Sequence, residues 1–521
     1  MSRKQTIKNV AFFLGLFLVY LVLQSKFIHW PWFASDELDV TLGGKAIVNG
    51  YKLYGDFLSQ HMPFTYYVSA FFELFGATSV TLQRYCFYAF YAVFWCVIYF
   101  RYRNLVNGKA LLIYPFIFTS LISTYEWGPV LRPEHLAAIG GIILLLEFLN
   151  FYKNRELKWD NCLFLSISVI LTFGTIFVAA FPMAIIVVAV VVLEIKWTIE
   201  GKIKGKGLVI YYLKKYIPLV IWCSVPWLIL VTSYAMKGNL GNFIRGAYQI
   251  NRTIYPKYID GYGYSVRDAF VMIPSHIFGW AKDLIAFDNF DLNALVRIIM
   301  LVSFILFLGR VYLTKSRLIA ITIYLYVSAM GTREVFTFHS TNLVAILALV
   351  FALQICDVFA TYKREKKPMN LKCASAVLSL FLVMTPYWSD LSGFHSLGID
   401  EEKNANASIL SAVLKNGEAV WLLNFDCTSA MLADRPAIQN VGATPWMWEC
   451  EGARCLQQMK KECPRVAVFN EYHEVWGNLL RDYAPELVAF IHENYTFYEQ
   501  SDCIYIRNDY YDEAIQILTA Q

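Results

Sequence analysis

The run NVAFFLGLFLVYLVLQSKFIHWPWFASDELD (residues 9–39) carries no charge from Val10 to Ser25, then meets two tryptophans and three acids. An uncharged apolar stretch of this length can cross a hydrocarbon core about 30 Å thick. Arg3, Lys4 and Lys8 precede it, as in a secretion signal. The flank Gln24-Ser25-Lys26-Phe27-Ile28-His29-Trp30-Pro31 offers no small-residue cleavage site, so the segment is expected to remain as a first membrane helix. Trp30 and Trp32 fit the headgroup layer. Asp36, Glu37 and Asp39 then fall a short distance beyond the membrane surface.

The rest of the chain repeats the apolar theme. Its 521 residues are 57% hydrophobic and 17% aromatic, and the mean hydropathy is +0.45. That is too apolar for a surface bathed in water, so lipid must be the main solvent. Hydropathy places spans near residues 9–27, 82–100, 109–126, 134–152, 160–178, 180–196, 212–234, 293–312, 316–331, 338–358 and 371–388. The expected fold is therefore mostly α, a polytopic membrane helix bundle of about eleven spans. The fifth and sixth spans are expected to meet near Phe181-Pro182.

Charge gives the bundle a direction. Alternate connections are basic, from Arg101 to Lys109, Lys153 to Lys158, Lys196 to Lys215, Arg310 to Arg317 and Lys363 to Lys372. These, with the amino terminus, are expected in the cytoplasm. The other connections, including outer loops 28–81 and 235–292, are richer in acids, aromatics and turn residues and are expected outside. The net charge of +5 is thus read as loop asymmetry and not as a nucleic-acid surface.

Residues 1–388 are expected to form the membrane domain. Residues 389–521 lack long apolar runs and read as a small extracytoplasmic α/β domain. Its strand-like pieces are Ala419 to Asn424, Arg465 to Asn470 and Cys503 to Arg507, and its helix-like pieces are Arg454 to Lys461 and Glu474 to Asp482. Cys427, Cys450, Cys455, Cys463 and Cys503 lie in this tail, where an oxidising compartment could pair four of them. Their spacing lacks the CxxC knuckle of a zinc site.

The first outer loop carries the chemistry. Acids just beyond a membrane helix lie where a lipid headgroup would rest. A transferase acting there needs a base to take the acceptor's proton, and a carboxylate serves when the leaving group is a phosphate. The same acids also read as a solvated helix cap. Arg132-Pro133-Glu134, at the outer end of the fourth span, offers a guanidinium that can hold a phosphate bidentately, or a snorkelling Arg before a helix-starting Pro. Gly331-Thr332-Arg333-Glu334 with Phe338-His339-Ser340 places further charged groups near membrane depth, where they are costly unless paired or functional. Tyr248, Arg252, Tyr255, Lys257, Tyr258 and Tyr262 have the content of a sugar-binding cover, or of an interfacial belt.

Asp36-Glu37, Gly50-x-x-x-Tyr54-x-Asp56-Phe57, His61-x-Pro63, Phe75-Gly76 and Arg84 together resemble the opening of two enzyme groups. These are the bacterial relatives of the dolichyl-phosphate-mannose protein mannosyltransferases and the lipid A aminoarabinose transferases, both of the GT-C class. The resemblance is specific over the first 140 residues or so and general beyond. It implies an inverting hexosyl- or pentosyltransferase in a bacterial plasma (inner) membrane. The donor would be a polyprenyl-phosphate-linked sugar, and the acceptor a glycan, lipid or protein. On this resemblance Asp36 matches the catalytic base and Glu37 its neighbouring acid. His61, Arg84, Arg132, Glu134, Arg333 and His339 are expected to bind donor or acceptor. Some members of the class use a divalent metal, but the acids here form no obvious three-ligand set, and no metal ligand is assigned. A transporter, flippase or polymerase of lipid-linked saccharides is the competing reading. No Walker loop, dinucleotide fingerprint or HExxH helix is present.

Overall fold

Apolar length decides where the helices lie. The computed structural model describes residues 3–28, 35–125, 130–201, 208–258, 266–285, 292–314, 316–330, 341–365, 371–385, 405–423, 427–438, 444–475 and 477–520. In chain order the helices are α1 (Arg3–Ile28), α2 (Ser35–Val48), α3 (Phe64–Leu74), α4 (Val80–Tyr102), α5 (Gly108–Tyr125), α6 (Pro133–Asn154), α7 (Trp159–Thr172), α8 (Ala180–Ile199) and α9 (Leu208–Met236). There follow α10 (Leu240–Phe243), a π-helical stretch Ile244–Ile254, then α11 (Val266–Ile285), α12 (Leu292–Thr314), α13 (Arg317–Met330), α14 (Thr341–Glu365) and α15 (Leu371–Val383).

Every expected span overlaps one of these helices over its described residues. Among the described residues five are long and apolar enough to cross a membrane: Pro133–Asn154, Phe177–Ile199, Leu208–Met236, Ala294–Thr314 and Thr341–Lys363. Shorter apolar helices accompany them. The chain is a polytopic, integral membrane protein. The junction of the fifth and sixth spans differs from expectation. α7 already ends at Thr172, and a 3-10 turn at Phe177–Ala179 leads into α8. Pro182 sits in the first turn of α8, where its missing N–H breaks no helical bond. α11 was not expected as a helix, because Arg267, Asp268, His276 and Lys282 dilute its apolar signal.

The chain forms two compact units. The first comprises Met1–Ile28, Phe87–Ile229 and Tyr262–Phe394. α6 is its core, buried from Pro133 to Phe148. Tyr326 Oη donates to the Gly141 carbonyl (3.0 Å) and Ser168 Oγ to that of Gly140 (2.7 Å), tying α13 and α7 to it. Charges inside this unit are partnered, as burial in lipid demands. Glu147 accepts from Arg101 Nε (2.6 Å), Tyr102 Oη (2.6 Å) and Asn161 Nδ2 (2.8 Å). Glu194 accepts from Lys215 Nζ (2.5 Å) and Tyr216 Oη (2.8 Å).

The second unit comprises His29–Cys86, Leu230–Gly261 and His395–Gln521. Its last segment folds as β1 (Val420–Leu422), β2 (Ala437–Ile438), β3 (Val466–Val468), β4 (Glu474–Val475), β5 (Asn478–Leu479), β6 (Tyr495–Phe497) and β7 (Ile504–Arg507). The main sheet has the order β2-β1-β3-β7-β6. β1 runs parallel to β2 and β3, whereas β7 is antiparallel to β3 and β6. Around it lie α16 (Ala405–Val413), α17 (Cys427–Leu432), α18 (Pro445–Glu462), α19 (Leu480–Tyr483), α20 (Pro485–Asn494) and α21 (Tyr511–Thr519). The α/β reading of the tail holds, with one correction. Glu474 to Asp482 is not a helix but the β4–β5 hairpin followed by α19. Gly477, at φ +77°, supplies the left-handed turn that a helix could not continue through. Of the tail's cysteines, Cys450, Cys455 and Cys463 are free thiols.

Candidate functional site

Two adjacent acids at the start of α2 face different environments. Glu37 is 1% exposed and is held by Arg84 at the start of α4. Arg84 Nε and Nη2 donate to Glu37 Oε1 and Oε2, both at 2.7 Å, in a fork-to-fork pair. Asp36, in the same first turn, is half-exposed. Among the described residues its carboxylate makes no hydrogen bond or ion pair. Glu37 is thus buried in an ion pair, while Asp36 beside it is half-buried.

Asp39, one turn further along, is buried and accepts from the Tyr66 hydroxyl. Burial first, then the neighbouring Asp39, hold the Tyr66 phenol well above its ordinary range, so it stays a donor. Ser59 Oγ lies 2.5 Å from the same hydroxyl and accepts from the His61 amide at 2.9 Å. The His61 carbonyl in turn accepts from Tyr54 Oη at 2.6 Å. This chain of bonds runs from α2 to the loop that presents the half-exposed His61 ring.

Close packing makes the arrangement rigid. α2 and α3 touch through Gly43 and Gly44: an added Cβ would come within 2.3 Å of Tyr66 and of Ser69. Lys45, 2% exposed, bonds Glu73 of α3 at 3.2 Å and also pairs with Asp434. Burial raises the Glu73 carboxyl above its ordinary value, against the opposing pull of Lys45. The loop between α2 and α3 is fastened from two further segments. Asn239 Nδ2 donates to the Leu53 carbonyl (2.6 Å) and Asn251 Nδ2 to that of Gln60 (2.5 Å). Arg454 Nη1 donates to the Gly55 carbonyl (2.6 Å), and Trp446 Nε1 to Gln60 Oε1 (2.6 Å).

Several residues expected to cover a sugar take part in this fastening. Lys257 pairs with Glu449, Tyr258 Oη donates to the same carboxylate at 2.8 Å, and Tyr255 packs edge-on against Trp446 at 5.1 Å. Tyr248 and Arg252 bond each other on the surface, and Tyr262 lies outside the described residues.

Arg132 and Glu134 belong to the first unit. Arg132 is the N-cap of α6, Pro133 follows at N1, and Glu134 stands in the first turn. Arg132 is 0% exposed and Glu134 is buried. His135, which sequence reasoning passed over, completes the group. Its Nδ1 bonds the Val130 carbonyl and its ring lies 6.1 Å from that of Phe87. Arg333 and His339 lie outside the described residues. Among the described residues no three His, Cys, Asp or Glu side chains converge as a metal site.

No protein-family model and no curated relative matches the sequence. Solved structures do match. ArnT from Cupriavidus metallidurans bound to undecaprenyl phosphate is 12% identical, with 96% of this chain and 98% of that chain covered at a TM-score of 0.56. Its apo state matches at 0.53 with the same identity and coverage. The chain therefore has, over nearly its whole length, the fold of ArnT.

Proposed function

We propose that the protein is a membrane glycosyltransferase that moves a sugar from a polyprenyl-phosphate carrier to an acceptor outside the cytoplasm. The observation that carries the reading is the division of labour at the start of α2. Glu37 is locked to Arg84 while Asp36 is half-buried and unengaged among the described residues, in a chain with the ArnT fold. The ArnT structure bound to undecaprenyl phosphate supports a carrier of that class.

In this reading Asp36 takes the proton of an acceptor hydroxyl or amine as that atom attacks the anomeric carbon. The bond from the anomeric carbon to the phosphate oxygen breaks, polyprenyl phosphate leaves, and the configuration inverts. Glu37 and Arg84 position Asp36 by fixing the first turn of α2 against α4. His61 contributes to the donor or acceptor surface. Arg132 and Arg333 hold the carrier phosphate, because guanidinium groups neutralise an anion bidentately where little water competes, and Glu134 and His339 contribute to donor or acceptor binding. The amino terminus and the basic connections lie in the cytoplasm, and residues 389–521 lie outside it. The membrane is a bacterial plasma membrane.

The test is transfer by purified protein in proteoliposomes supplied with a polyprenyl-phosphate-linked radiolabelled sugar and envelope acceptors. The reading expects label to leave the lipid and polyprenyl phosphate to appear in equal amount. Transport of the intact lipid-linked sugar across the bilayer, with no cleavage, would sink it.

A further inference from the structure

α6, α7, α8 and α9 leave between them a cavity of about 680 Å³. Leu144 and Phe148 of α6, Val169 of α7, Val187 and Val190 of α8 and Leu219 of α9 form its aliphatic wall. The two acids that reach the wall, Glu147 and Glu194, are each paired with a base, Arg101 and Lys215. A space of this size is typical of ligand pockets, about 300–1,000 Å³. A close-packed interior does not leave it empty, and apolar walls do not hold water. Val187 is 61% exposed, so the cavity opens sideways where a bilayer would lie.

The cavity sits at the end of α6 remote from Arg132. Glu147 stands 15 residues beyond Arg132, about 22 Å along the helix. The segments bounding this end are basic. Arg155 follows α6 with its guanidinium 5.3 Å from the Trp197 ring. Lys158 caps α7 and Lys196 lies in the last turn of α8, each loosely paired on the surface with an acid, Glu156 at 3.7 Å and Glu200 at 3.8 Å. Lys214 lies in the first half of α9, beside the Lys215 that engages Glu194. Aliphatic walls opening to the bilayer beneath a rim of cations match a chain with an anionic head. A donor carrier phosphate held by Arg132 would be at the opposite end of α6.

We propose that this cavity binds an acyl chain of an anionic glycerophospholipid, with the lipid phosphate among Arg155, Lys158, Lys196 and Lys214. It is a lipid site separate from that of the sugar donor. Native mass spectrometry of the full-length protein, released from nanodiscs of phosphatidylglycerol or of phosphatidylcholine, reads it out. The wild type and Asp36→Asn are expected to retain phosphatidylglycerol alike and in preference to phosphatidylcholine. Val187→Trp with Leu219→Trp, which fills the cavity, is expected to lower retention about tenfold. Arg155→Gln with Lys158→Gln is expected to erase the preference. Equal retention by the filled variant, or recovery of polyprenyl phosphate in place of phospholipid, would overturn the proposal. A diazirine-tailed phosphatidylglycerol applied to the wild type gives an answer even if the variants fail to fold. Labelled peptides from α8 or α9 support the site, and labelling only elsewhere overturns it. Retention without sugar transfer would overturn the function proposed above and leave this site standing.

Discussion

Replacing Arg84 by Met should be one of the most damaging single changes in the second unit. Its guanidinium and the Glu37 carboxylate are each 1% exposed and joined by two 2.7 Å bonds. Removing one partner of such a pair leaves a charge buried without its counter-ion, at a cost of about 3–5 kcal/mol. For a folding unit of roughly 200 residues each kcal/mol shifts the melting temperature by about 2–4 °C, so a fall of about 6–20 °C is expected. Replacing both partners, as in Glu37→Leu with Arg84→Met, removes the stranded charge as well. The double variant should therefore regain most of the lost stability, because a buried ion pair adds little over well-packed apolar groups. Thermal unfolding of the purified proteins in detergent, followed by tryptophan fluorescence, supplies the four corners of the cycle. The reasoning fails if Arg84→Met melts with the wild type, or if the double variant melts no higher than Arg84→Met. Activity gives a second reading. A positioning role predicts that the double variant folds yet transfers sugar slowly, because the first turn of α2 is no longer fixed.

Tyr66→Phe removes one hydroxyl donor from the buried Asp39 and should cost about 1.5–3 kcal/mol in the same melting assay. Arg454→Ala removes the donor to the Gly55 carbonyl. It should loosen the loop between α2 and α3 by about 1.5–3 kcal/mol, read as faster limited proteolysis within residues 51–62. Glu73 binds a proton more readily in the folded chain than in the unfolded one, because burial raises its carboxyl above the ordinary 4.5. Its contribution to stability is therefore fully present below pH 4.5 and is lost as the pH rises through the raised value. Glu73→Gln should flatten that part of a melting-temperature profile between pH 4 and 7, and an unchanged slope would contradict the assignment.

The bundle was legible in the sequence because membrane burial writes itself in long uncharged runs, and each of the eleven runs overlaps a helix over its described residues. The sheet was legible in part. β1 and β3 are buried apolar strands and β7 alternates buried Ile504 and Ile506 with half-buried residues, whereas β2 is two residues long and β6 leaves Thr496 and Phe497 exposed. The hairpin at 474–479 stands where a helix was expected, and Gly477, at φ +77°, is the residue that marks its turn. At the candidate site, Asp36-Glu37 stood out as a motif. The partition of roles between the two acids did not, because it depends on Arg84, 47 positions away. Asp39 and Tyr66 meet across 27 positions, and Lys45 and Asp434 across 389. Such pairings come from tertiary packing, which no local pattern records.

The central claim is that Asp36 is the base of a lipid-donor glycosyl transfer. The direct measurement is the rate at which purified wild type and Asp36→Asn release polyprenyl phosphate from a polyprenyl-phosphate-linked sugar in the presence of acceptor. Both proteins must first be matched for melting temperature and donor binding. Loss of a general base should slow transfer by about 10²–10⁴-fold with donor affinity retained. Release by Asp36→Asn at the wild-type rate would contradict the account.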